Sequence, residues 1–95
     1  MNEYFDHIIS KMSFRDISIL GILHDNGANV VFKAITRRDL KGLSNLSEAK
    51  FRETLIRLEA NGFINIVGGN KDHRIYINEY GQLAINESLK GEIVE

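Results

Sequence analysis

Residues 33–74 hold nine of the chain's twelve lysines and arginines but only five of its thirteen acidic residues, a local net charge of +4. The stretches before and after carry −2 and −3, so an overall charge of −1 conceals one basic face on an acidic body. Guanidinium and ammonium groups gathered in this way donate to phosphate oxygens and, where they reach bases, to guanine edges. The densest part is LSEAKFRETLIRLEANGFI, residues 46–64. On a helix it turns Ser47, Ala49, Lys50, Arg52, Glu53 and Arg57 outward, small residues that permit close approach beside cations that suit phosphate. Glu48 with Arg52 and Glu53 with Arg57 are also favourable i, i+4 pairs, which would solubilise any surface helix.

Several elements must position that face. Phe51, Leu55 and Leu58 form an inward stripe, with Leu46 before it and Phe63 after it. Ser47 caps the start and Asn61-Gly62 supplies the stop, so the helix spans 48–60. Thr36 and Asp39 start a shorter helix over 37–43 that buries Leu40 and Leu43 and presents Arg37 and Arg38; the turn 43–46 joins the two. Upstream, Ser13 and Asp16 open a helix over 14–24 that is apolar around much of its circumference, with Gly21 at a close helix crossing. Val30-Val31-Phe32 reads as a brief strand.

Downstream, residues 64–67 and 74–77 alternate as strands of a β-hairpin, with Ile64, Ile66, Ile75 and Ile77 inward and Lys71, His73 and Arg74 at a glycine-containing tip. Asn78 caps a last helix over 79–90 that packs through Tyr80, Leu83, Ala84 and Ile85, and residues 91–95 fray. At the other end, Phe5, Ile8, Ile9 and Met12 make the stripe of a short amphipathic helix, expected to pack on a second copy of the chain.

Ninety-five residues, 43% hydrophobic and 26% charged, suit a single small domain spanning 1–95. The chain has no cysteine, which removes disulfides and thiolate metal sites, and His7, His24 and His73 lack the spacing of a zinc site. No cofactor is expected. The start of the chain lacks a signal-peptide pattern and no apolar run is long enough for a bilayer, so a cytoplasmic protein without a membrane partner is expected. There is no phosphate-loop motif, no paired-histidine metalloprotease motif and no nucleophile elbow, which argues against an enzyme. Gly68-Gly69 reads as a turn, because no helix opens directly after it.

With helices, turn and hairpin in this order, the sequence resembles the winged helix-turn-helix family, particularly the MarR-like and ArsR-like bacterial DNA-binding proteins. Residues 46–64 are similar to the recognition helix and start of the wing in MarR-type proteins, with a Leu-Ser start, a Leu-Glu pair and a Gly-apolar-apolar exit. Ile77-Asn78-Glu79-Tyr80-Gly81 is similar to the Leu-Thr-x-x-Gly that follows the wing. The resemblance implies an α+β fold, a helical core with a small antiparallel β-hairpin wing (about 63–78), a helix-turn-helix (about 37–60) and flanking N- and C-terminal helices. It also implies that Ser47, Ala49, Lys50, Arg52 and Glu53 lie in a major groove, with Arg57 further along near the backbone. Lys71, His73 and Arg74 would be wing contacts to phosphate or minor groove, and Arg37 and Arg38 would touch backbone.

The expected function is sequence-specific binding of double-stranded DNA by a homodimer with recognition helices about 34 Å apart, acting as a transcriptional regulator, a repressor that occludes a promoter. MarR proteins are usually longer, and here little chain remains for a ligand pocket. An alternative within the same physics is a TubR-type adaptor, which binds repeats at plasmid or phage centromeres and hands the DNA to a segregation filament. A third reading is a winged-helix module that binds a partner protein, supported by Glu48, Glu53 and the negative total. The abundance of Asn, Ile and Lys with no proline points to an AT-rich coding genome.

Overall fold

The computed structural model describes residues 12–68 and 73–94, with side chains described as far as Glu87. The first helix, α1, spans Phe14–Asp25 and begins at a complete capping box. The Ser13 hydroxyl accepts from the Asp16 amide at 3.3 Å, and the Asp16 carboxylate accepts from the Ser13 amide at 2.9 Å. Ile19, Leu20 and Leu23 of α1 are wholly buried, and the helix packs against all three other described helices. Its burial on several sides makes it the hub of the core.

Val30-Val31-Phe32 does not form the expected strand. Val31–Lys33 is a single 3-10 turn, and all three apolar side chains are exposed, Phe32 at 93%. Their β propensity gains no partner, because the neighbouring Ala28 takes the buried position and its carbonyl accepts from the Ile77 amide at 2.8 Å. Pairing falls instead on β1, Ile35–Thr36, set against β3, Arg74–Ile77, which in turn pairs with β2, Ile64–Val67. The sheet is antiparallel in the order β1-β3-β2, with Ile35 opposite Ile75 and Ile64 opposite Ile77. Ile64, Ile75 and Ile77 face the core as their alternation requires, and Ile66 is half-buried.

Between β1 and β2 lie α2, Arg37–Ser44, and α3, Glu48–Ala60, joined through Asn45 at φ +60°. Leu40 of α2 is buried, but Leu43, expected inside, is 52% exposed. Phe51, Leu55 and Leu58 of α3 enter the core, together with Thr54. The Thr54 hydroxyl donates to the Lys50 carbonyl at 2.8 Å, which satisfies it without water. Helix α3 ends in a Schellman motif: Gly62 at φ +80°, with the Phe63 amide donating to Leu58 and the Gly62 amide to Glu59, both at 3.0 Å.

The last helix, α4, spans Glu79–Val94, so it runs past the expected end at Lys90 and through most of the segment read as frayed. Ala84 and Ile85 are buried and Tyr80 half-buried, but Leu83 is 42% exposed and faces away from the core. Among the described residues no helix is long and apolar enough to cross a membrane. Among the described residues, four helices and a small three-stranded sheet in this order make a winged helix-turn-helix.

The Asn78–Gly81 junction explains the motif that follows the wing. Asn78 donates its amide to Phe63 O at 3.2 Å and its side-chain nitrogen to Gly62 O at 2.8 Å and Asn65 Oδ1 at 2.7 Å. Its side-chain oxygen accepts from the Gly81 amide at 2.9 Å, capping α4. A Cβ at Gly81 would collide with the Phe63 carbonyl oxygen and lie 2.6 Å from Ile77 Cγ1. At Gly21 a Cβ would meet only Ile85 Cδ1, at an ordinary 3.5 Å, so the helix crossing there does not require glycine. Gly81→Ala is therefore expected to destabilise the fold by about 2 kcal/mol, and Gly21→Ala to be neutral or stabilising by up to about 1 kcal/mol. Urea unfolding of the two variants checks the pair.

Candidate nucleic-acid interface

The face read from the sequence divides into two sets in the structure. Ala49, Lys50, Arg52 and Glu53 are all exposed on α3, and Ser47 at its N-cap accepts from the Lys50 amide at 3.3 Å. Among the described residues, Lys50 and Arg52 carry no ion pair, and neither do Arg38 and Arg74. The sheet brings Arg38 and Arg74 together. Thr36 pairs with Arg74 across β1 and β3, and the Arg37 amide donates to the His73 carbonyl at 2.9 Å. The base of the wing and the start of α2 are thus one unit, and Arg38 and Arg74 line one open groove of about 590 Å³ with Thr36, Asp39 and Leu43. His73 and Arg74 are exposed; Lys71 lies outside the described residues.

Arg57 belongs to the other set. Its Nε donates to both Asp16 oxygens at 3.1 and 3.2 Å, Nη2 to Asp16 Oδ1 at 2.6 Å and to Ser13 Oγ at 3.4 Å, and Nη1 lies 3.6 Å from Glu53. All three nitrogens are engaged within the chain, in a clamp of α3 on α1. The hydrogen bond to Asp16 raises the Arg57 pKa above its ordinary value against partial desolvation, with the charges of Asp16 and Glu53 adding to the rise. Glu53 also faces Arg15, at 3.9 Å, which ties it to this cluster on the side of α3 towards α1.

Sequence reasoning named Asp16 only as a helix-start residue and left Arg15 out. The signal was a carboxylate in the first turn of a helix that is apolar around much of its circumference, at a position 2% exposed in the fold. Ile56, 62% exposed on α3 four residues after Arg52, was also missed.

Arg37 is held as well. It bonds Glu48 in two-pronged fashion, at 3.4 and 2.5 Å, and its guanidinium carbon lies 5.1 Å from the Phe51 ring centre. The hydrogen bond from Arg37 holds the Glu48 carboxyl below its ordinary range, partial desolvation opposes this, and the charges of Arg37, Arg52 and Lys41 add to it. A depressed carboxyl pKa means that the contribution of the pair is present above the normal carboxylate range and is lost as pH falls through the lowered value. At neutral pH the pair is intact.

Of the residues expected to form a dimer, Met12 is half-buried against its own core, while Phe5, Ile8 and Ile9 lie outside the described residues. Among the described residues no cluster of three or more His, Asp or Glu side chains could hold a metal ion.

Removing the Arg57 charge leaves the Asp16 carboxylate buried without its cation, with the Ser13 amide still donating to it. Arg57→Met, which keeps the apolar stem, is expected to cost about 2–3 kcal/mol in denaturant unfolding, whereas Lys50→Ala and Arg52→Ala stay within about 0.5 kcal/mol of the parent.

Comparison with known proteins places these elements. No family model matches the sequence. The chain is 44% identical over 89 residues to the DNA-binding protein TubR of Priestia megaterium, a match covering 94% of this chain and 88% of that protein. The solved structure of TubR from Bacillus megaterium pBM400 superposes with a TM-score of 0.88 at 43% identity, over 93% of this chain and 98% of that one. A MarR family transcription regulator shares the fold, with a TM-score of 0.71 at 15% identity over 88% of this chain and 54% of that one. With this identity along almost its whole length, and with the helices, turn and wing of that fold, the chain belongs to the TubR family of winged-helix DNA-binding proteins.

Proposed function

We propose that this chain binds double-stranded DNA in a sequence-specific manner as a homodimer, and that it serves as a partition adaptor that occupies repeated sites on a plasmid or phage centromere and presents them to a partner protein. The observation that carries the reading is that Arg38, Lys50, Arg52 and Arg74, supplied by α2, α3 and the wing base, are exposed and have no ion-pair partner among the described residues. Three elements that are distant in sequence expose unneutralised donors on a protein whose net charge is −1. The identity with TubR supports the adaptor role over a ligand-gated regulator. The proposed contacts are Ser47, Ala49, Lys50 and Arg52 at the major groove, with Arg38, Lys71, His73 and Arg74 on phosphate; Arg57 and Glu53 are left to the clamp. Dimerisation is supported by the small core and by the apolar spacing of Phe5, Ile8 and Ile9 in the sequence. A transcriptional repressor is the second reading, favoured by the fold shared with the MarR family regulator.

Lys50→Ala and Arg52→Ala are expected to weaken binding to the preferred site by about 1–3 kcal/mol each. Arg74→Ala should weaken binding to all sequences alike and make the log-log salt dependence shallower by about one unit. Titrations of fluorescent duplexes across a salt series measure both effects. Sequencing of genomic fragments recovered by the purified protein separates the roles: a tight array of short repeats is expected of the adaptor, and isolated palindromes over promoters would instead indicate the repressor.

A further inference from the structure

A carboxylate stands at the front of the helix that the basic face presents. Glu48 is the first residue of α3, next to the Ser47 cap, and its side chain is 51% exposed. Arg37 grips both of its oxygens, and the guanidinium is backed by the wholly buried Phe51 ring. Charge-assisted hydrogen bonds on one side and an aromatic face on the other hold Arg37 in place. Arg37, Arg38, Lys41, Gly42 and Glu48 line one depression of about 470 Å³, and Glu48 is the one anion among these lining residues. A phosphate entering it would meet Arg38 and Lys41, but beside Glu48 it would be repelled and would find Arg37 already engaged.

We propose that Glu48 is a specificity-determining residue: it withholds Arg37 from phosphate and sets a carboxylate against the DNA that is accommodated only where the major groove offers an exocyclic amino donor, cytosine N4 above all. The inference rests on the DNA-binding reading given above. Most major-groove edge atoms are acceptors, N7 and O6 of guanine, N7 of adenine and O4 of thymine, and a carboxylate docked on them loses water and gains nothing. A cytosine N4 amino group restores the lost hydrogen bond while Arg37 continues to balance the charge. Binding to unmatched DNA is thereby suppressed more than binding to the matched site, and selectivity rises without an added contact. Arg37 becomes a cation in reserve, able to reach phosphate only when Glu48 lets go.

The test is Glu48→Gln in the full chain, which keeps the side-chain size and removes the charge. Affinities for a site selected from a random pool and for an unrelated duplex of equal length are measured over a salt series. The unrelated duplex is expected to bind several-fold more tightly, the selected site not to follow, and the ratio between them to fall roughly tenfold. The salt slope on the unrelated duplex should steepen by about one unit as Arg37 takes a phosphate. The double variant Arg37→Gln/Glu48→Gln should return it to the parent value. Parallel changes on both duplexes, or an unchanged slope, would overturn the role of Glu48 while leaving DNA binding intact. A parent protein that binds neither duplex would overturn the DNA reading and this inference with it. Helix signal and thermal midpoint close to the parent's are expected for Glu48→Gln, since Glu48 is exposed at a helix start; a collapsed midpoint would overturn the assignment by making Glu48 a folding residue.

Discussion

The ion pair between Asp16 and Arg57 ties α3 to the body of the protein. Asp16 is almost wholly buried, a position that is costly for a carboxylate unless its oxygens are satisfied. The Ser13 amide and the fork of Arg57 satisfy them. One carboxylate therefore caps α1 and fixes the rotation of α3 about its axis. That rotation decides which side chains of α3 meet solvent, and so every statement about a contact face depends on it.

The clamp also explains how a chain with a small negative net charge can offer a cationic surface. Arg57 of α3 and Arg15 of α1 meet between the two helices and are paired with Asp16 and Glu53, and Arg37 is paired with Glu48. What remains on the front of α2 and α3 and at the wing base is a sparse set of donors without ion-pair partners among the described residues. Sparse charge favours contacts that depend on geometry over indiscriminate attraction to a polyanion, since each phosphate contact adds affinity without adding sequence information.

Much of the fold could be read from patterns that are local by nature. The capping residues Ser13, Thr36 and Ser47 start helices where expected, because a cap acts on the amides of its own first turn. The alternation of Ile64, Ile75 and Ile77 set the inward face of the wing, because pleat period and burial coincide in a two-sided hairpin. Val30-Val31-Phe32 and Leu43 misled for one reason: apolar character shows what a residue tolerates, while burial depends on whether another element arrives to cover it. Around Phe32 none does among the described residues. The candidate site was partly legible. Lys50, Arg52, Arg38 and Arg74 are exposed as read, whereas Arg57 and Glu53 are committed to partners 41 and 38 positions away, which no local pattern reveals.

The sequence by itself determined the order of elements, the helix starts, the Schellman stop at Gly62 and the concentration of cations between residues 33 and 74, because these depend on neighbours within a turn or two or on simple count. Only the tertiary structure decided which cations are unpaired, that Arg38 and Arg74 share a groove, and that Arg37 is held by Glu48. It alone showed why Gly81 must lack a side chain, since the Phe63 carbonyl arrives there from the start of the wing's first strand. Each of these is a contact between segments whose separation along the chain is unrelated to their separation in space. Burial and ion pairing act through space, at ranges of a few ångströms that only the folded chain defines.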